Sequence, residues 1–136
     1  MVVRIVRLGS ARSDGEGLRI GTVRRPPRGV PKAAFASLNW YDVWFPNLAP
    51  SGETMKLGQD ATTLAQWAAF TKKYRAEMAT PDSSHALELL AALSHTTHFS
   101  VGCYCENESH CHRSILRALL ADKGASIHAD DPSSGP

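Results

Sequence analysis

Cys103, Cys105, Cys111, His112 and Arg113 fall within one short stretch, FSVGCYCENESHCHRSILRALL at 99–120. These residue types supply nucleophiles, a proton carrier and an oxyanion-holding group. A cysteine at the start of a helix has a lowered pKa, and a neighbouring His or Arg lowers it further. On that ground Cys111 reads as a nucleophile, His112 as its proton carrier and Arg113 as an oxyanion stabiliser. Cys105, at the end of the preceding strand, reads as a resolving partner or as the attacking thiol itself. Cys103 reads as packing, the usual role of a free cysteine on a buried strand. Seven residues separate Cys105 from Arg113, so the Cys-x5-Arg cradle of phosphatases is not matched. Neither is a Cys-x-x-Cys redox pair.

The same turn suits an anion. A helix N-terminus presents unpaired N–H groups and a partial positive charge. Ser109 reads as the N-cap, and Arg113 adds a bidentate contact. Arg24 and Arg25 at the end of the second strand, and Arg28 on the stiff Pro-Pro-Arg-Gly loop that follows it, would close such a site from the other side. The plainer alternative has Ser109 only capping, His112 solvated and Arg113 paired with Glu106 or Glu108.

A metal is the third chemistry. Cys103, Cys105, Cys111 and His112 make a zinc-type donor set. Strand spacing argues against it, because residues two apart in an extended strand have Cα atoms about 6.6 Å apart. A partial set of Cys105, Cys111 and His112 stays open, but no metal ligand and no cofactor is assigned. Nucleic-acid binding through Trp40, Tyr41, Trp44 and Phe45 is the fourth reading. A net charge of +2 is too small for strong phosphate-driven binding, and such aromatics more often pack in a core.

The elements that position these groups read as alternating strands and helices. Residues 2–8 (VVRIVRL) and 18–25 (LRIGTVRR) are β-branched runs. Residues 33–40 suggest a short helix or turn, 41–48 an aromatic strand, and 56–60 irregular chain. Thr63-x-x-Gln66 matches a capping box and opens a helix over 63–78, with Leu64, Trp67, Thr71, Tyr74 and Met78 as its core-facing stripe. Pro81 opens a second helix to Ser94, with Leu87, Leu90, Ala91 and Leu93 buried. The third helix buries Ile115, Leu116, Leu119 and Leu120 and ends at Lys123-Gly124. The pattern predicts a single small α/β domain over residues 1–127, with a largely parallel sheet flanked by helices, and a disordered tail at 128–136. In such sheets ligands sit outside the carboxyl ends of the strands.

The 136 residues suit one core, and no apolar run approaches the roughly 20 residues of a membrane span. With no recognisable export signal, the expected compartment is the cytoplasm, where thiols stay reduced. Charge is uneven. Residues 17–41 hold no acidic residue but carry Arg19, Arg24, Arg25, Arg28 and Lys32, which leaves the remainder net negative. A local basic surface on a near-neutral chain points to a small anionic ligand at one place.

Several blocks also carry a family likeness. They are Arg7-Leu8-Gly9, the Gly-Leu-Arg-Ile-Gly-Thr-Val-Arg-Arg strand with its Pro-Arg-Gly turn, and Ala49-Pro50-Ser51. Trp67-x-x-Phe70, Tyr74-Arg75-x-Glu77 and Cys105-Glu106 with Cys111-His112-Arg113 complete the set. On these the chain resembles the bacterial family called domain of unknown function 488, over roughly residues 3–124. The resemblance implies a compact α/β domain and assigns no reaction.

The sequence therefore predicts a site for a phosphate- or nucleotide-like small molecule, with Arg113, Ser109, Arg24, Arg25 and Arg28 as binding groups. Thiol-dependent catalysis would use Cys111, His112 and Cys105. The alternative is a non-catalytic metal- or nucleic-acid-binding module.

Overall fold

Four short strands form one parallel sheet in the computed structural model, which describes residues 1–128. They are β1 (Val3–Arg7), β2 (Leu18–Gly21), β3 (Val43–Trp44) and β4 (Phe99–Cys103), in the spatial order β1-β4-β2-β3. Val101 of β4 pairs with Ile5 on one side and Ile20 on the other. Flanked by a strand on each side, β4 is buried along its whole length, which is why it reads as an almost unbroken apolar run. The crossover from β3 to β4 carries α1 (Gly52–Asp60), α2 (Leu64–Met78) and α3 (Pro81–Leu93), and α4 (His112–Asp122) follows β4. The architecture is a single small α/β domain with a wholly parallel sheet.

Strand alternation divides the sheet into two faces. On one, Val3, Ile5, Ile20, Phe99 and Val101 pack against helix side chains including Phe70, Tyr74, Leu87, Leu90 and Leu116. On the other, Arg19, Gly21, Ser100 and Gly102 lie under loops. Gly21 is required there, since a Cβ would come within 2.4 Å of the Tyr41 ring. A second apolar cluster of Leu8, Val23, Tyr41, Cys103 and Cys111 gathers at the carboxyl ends of the strands.

Helix signals local to the chain are obeyed. Thr63 and Gln66 form the capping box, Pro81 opens α3, and Gly124 adopts φ +87° just past α4. Other expectations need correcting. Leu64 is 90% exposed at the first position of α2, and the buried stripe is Phe70, Tyr74 and Met78 instead. Leu93, at the end of α3, is 38% exposed. Residues 56–60 are helical, because Ser51 caps α1 by accepting the Thr54 N–H. The aromatic strand over 41–48 shrinks to β3, since Pro46 starts a 3-10 turn, Pro46–Leu48. β2 stops at Gly21, although the Thr22 N–H still donates to the Gly102 carbonyl. Ser109 is not the N-cap of α4. It lies in the turn Glu108–His110, bonded to the Asn107 side chain, and Cys111 occupies the cap position. Of the tail expected to be disordered, 129–136 lie outside the described residues, while the His128 N–H donates to the Val3 carbonyl.

Candidate functional site

The chain turns sharply where β4 ends, and that turn assembles the site. β4 ends at Cys103 and Tyr104 lies in a bend, so Cys105 does not continue the extended line. The Sγ atoms of Cys103 and Cys105 come within 3.7 Å. An extended backbone would hold the two side chains apart, but the strand does not continue through Cys105. Tyr104 points the other way and donates its hydroxyl to the Arg25 carbonyl at 2.8 Å, which ties the loop after β2 to the turn after β4.

α4 brings the remaining groups. Cys111 is 2% exposed, His112 5% and Arg113 4%. His112 Nε2 lies 2.9 Å from the Thr22 carbonyl oxygen. A carbonyl only accepts, so Nε2 carries the proton and Nδ1 presents its lone pair. Nδ1 faces the Cys111 sulfur at 3.8 Å, and the ring sits edge-on to Tyr74. The ligand atoms of Cys103, Cys111 and His112 all lie within 4.8 Å of one another. Arg113 donates to the Cys105 carbonyl at 2.6 Å, its Nε has no partner, and no carboxylate pairs with it among the described residues.

The thiols are electrostatically unequal. Contact with the Cys105 and Cys111 side chains, reinforced by burial, drives the Cys103 thiol far above its ordinary value. The Cys105 thiol is pulled the other way. Hydrogen bonding from the Cys103 and Cys111 thiols lowers it, and the Arg113 guanidinium adds to this against the effect of burial. Of the three cysteines only Cys105 is exposed.

Above this cluster lies a hollow of about 590 Å³ at the carboxyl ends of β2 and β4. Arg24, Arg25 and Arg28 line one side, α1 contributes Gly52, Met55 and Gln59, and Cys103, Cys105, His110 and His112 line the other. All three arginines are exposed, and none forms an ion pair among the described residues, whereas Arg12 and Arg117 are both paired. A second hollow of about 530 Å³ on the far side of the Arg25–Tyr104 bridge adds Arg7 and Trp40.

The structure thus brings together Cys105, His112, Arg24, Arg25 and Arg28. It places Cys111 and Arg113 directly behind them, and leaves Ser109 on the outer surface. Arg113 pairs with neither acid of the turn, because Glu108 is taken by Arg117 and Glu106 lies near Arg7. Arg19 leaves the basic surface altogether, since it is 0% exposed and bonded to Glu16. Sequence reasoning missed Thr22, gave His110 no role of its own, and favoured packing over a ligand role for Cys103. The signal for Cys103 was the Cys-x-Cys pair running directly into a polar loop, where a strand ends. The aromatics of the nucleic-acid reading are largely engaged. Tyr41 is buried, Trp40 packs edge-on to Tyr104, and the Trp44 indole N–H donates to the Val23 carbonyl.

A family model described as the active DUF488-N3 subclade matches residues 3–124. The chain belongs to the DUF488 family. The matched span of this DUF488 domain contains every residue of the hollow and of the thiol cluster. No curated protein and no solved structure matches it. Among the described residues no helix is long and apolar enough to cross a membrane.

Proposed function

We propose that this DUF488 domain binds a small anionic molecule, of the phosphate or nucleotide kind, in the hollow between the loop after β2 and the turn after β4. The observation that carries this reading is that three exposed arginines with no ion pair among the described residues, Arg24, Arg25 and Arg28, line one hollow. Exposed arginines repel each other, and a ligand with several oxyanions relieves that repulsion while gaining bidentate hydrogen bonds. Pro26 and Pro27 stiffen the loop, so little freedom is lost when the arginines grip. At about 590 Å³ the hollow falls in the usual size range of small-molecule sites, about 300–1,000 Å³. His110 and His112 offer further polar contacts on the opposite wall.

The matched subclade is described as active. A thiol-dependent step on the bound anion would run through Cys105, which is exposed on the hollow, rather than through Cys111, which is 2% exposed behind it. His112 would hold its proton on Nε2 and offer Nδ1 to the cluster.

Thermal unfolding in the presence of phosphate, pyrophosphate and nucleoside diphosphates tests the binding. A ligand at a hundredfold excess over its Kd adds about 2.7 kcal/mol and raises the midpoint by several degrees. The Arg24→Ala/Arg28→Ala double variant changes only exposed side chains and folds normally, and it loses that rise. An unmoved midpoint with every anion, or an equal rise in the double variant, would sink the reading.

A further inference from the structure

We infer that Cys103, Cys105, Cys111 and His112 form a binding site for one zinc-type divalent ion on the floor of the hollow. A tetrahedral zinc, with Zn–S of about 2.3 Å and Zn–N of about 2.0 Å, holds its ligand atoms about 3.5–3.8 Å apart. Cys103 and Cys105 already stand at 3.7 Å, and Cys111 and His112 Nδ1 at 3.8 Å. The ligand atoms of Cys103, Cys111 and His112 lie within 4.8 Å of one another, so these three close onto an ion with about 1 Å of contraction; Cys105 lies outside that set and enters as the fourth ligand from its place beside Cys103.

Two further observations point the same way. His112 already donates its Nε2 proton to the Thr22 carbonyl, which fixes the tautomer that leaves Nδ1 free to bind metal, as metal-bound histidines usually are. Arg113 is 4% exposed, has no carboxylate partner among the described residues and keeps an unpartnered Nε. A buried guanidinium needs a counter-charge. Three thiolates around one divalent ion carry a net charge of minus one, which Arg113 balances. On binding, each thiol gives its proton to solvent and its sulfur donates an electron pair to the ion, with no change in oxidation state. Soft thiolates with one imidazole select zinc over magnesium or calcium.

The inference is independent of the bound anion, but it bears on the thiol-dependent step. A Cys105 held by zinc is no longer a free nucleophile, and the ion's closed shell leaves the arginine hollow intact above it.

The test is elemental analysis of untagged protein, grown with zinc and purified without chelators, followed by cobalt titration of the stripped protein. The expected result is one zinc per chain. One equivalent of cobalt should then bring up the intense visible bands of a tetrahedral thiolate site, and zinc should abolish them. Cys103→Ser and Cys111→Ser should weaken cobalt binding at least tenfold, whereas Ser109→Ala should leave it unchanged. No zinc in the native protein together with no thiolate–cobalt absorption on titration overturns the inference. So does an unaltered cobalt spectrum in a folded Cys103→Ser variant. If either serine variant fails to fold, the native titration still decides. Anion binding without zinc removes this inference alone, and zinc without anion binding removes only the proposed function.

Discussion

The guanidinium of Arg19 is fully buried and reaches four acceptors, both carboxylate oxygens of Glu16 and the carbonyls of Ser10 and Asn39. Ser100 on β4 adds a bond to the same carboxylate at 2.7 Å. This network pins the loop between β1 and β2 across the sheet face that lies under loops. Glu16→Gln leaves Arg19 buried without its counter-charge, and such losses cost about 3–5 kcal/mol. Urea unfolding should show that drop, and a change within about 0.5 kcal/mol, the scale of surface substitutions, would contradict the role given to the pair. Charge counting along the sequence cannot separate Arg19 from Arg24, because both lie in the same acid-free segment. What separates them is strand alternation, which turns Arg19 inward onto Glu16, one residue outside the acid-free segment. The reactive residues were legible as a group, but the roles of Cys105 and Cys111 were not. Exposure decides between those thiols, and exposure depends on the bend at Tyr104.

At the scale of elements, what is local was legible and what depends on distant partners was not. The capping box of α2 and the proline at the start of α3 are spelled out within a few residues. α1 is different. Its sequence GETMKLGQD holds two glycines and an exposed Leu57, and its start is secured by Glu77 on α2. Glu77 accepts from the Ser51 N–H at 2.9 Å and from the hydroxyls of Ser51 and Thr54 at 2.6 and 2.7 Å. The carboxylate also complements the helix N-terminus. Glu77→Ala should cost roughly 1.5–3 kcal/mol and speed amide exchange in α1 while α3 stays protected; equal exchange in α1 before and after would refute the clamp. Thr63→Ala removes the cap of α2 at a cost of about 1 kcal/mol, read as a lower thermal midpoint. Two of the family-likeness blocks, Ala49-Pro50-Ser51 and Tyr74-Arg75-x-Glu77, thus meet in one structural joint, where the Tyr74 hydroxyl also donates to the Leu48 carbonyl. α1 in turn forms a wall of the hollow through Met55 and Gln59, so the joint bears on the site as well.

For the whole molecule, three carboxylates act together. Burial works to raise Glu16, Asp42 and Glu77, yet hydrogen bonds overcome it and hold all three below their ordinary values. The bonds come from Arg19 and Ser100 at Glu16, from Arg12 and the Arg19 N–H at Asp42, and from Ser51 and Thr54 at Glu77. A carboxylate depressed in the folded state binds fewer protons than in the unfolded chain. Its stabilisation is therefore full above the unfolded value, about 4, and is lost as pH falls through the lower folded value. Urea midpoints should be flat from pH 7 to about pH 5 and fall steeply below about pH 4, and Glu77→Ala should shallow that fall. A midpoint that rises on acidification would contradict the sign. The parallel α/β class was legible from the alternation of elements. The strand order was not, because β4 inserts between β1 and β2 only after the long helical crossover. That insertion sets the thiol turn beside the arginine loop and makes the hollow. The central claim is that an anion binds there, and amide chemical-shift mapping with pyrophosphate tests it most directly. The account predicts saturable shifts concentrated in Val23–Arg28 and Tyr104–His112. Shifts scattered over surface lysines such as Lys72 and Lys73, or no shifts at all, would contradict it.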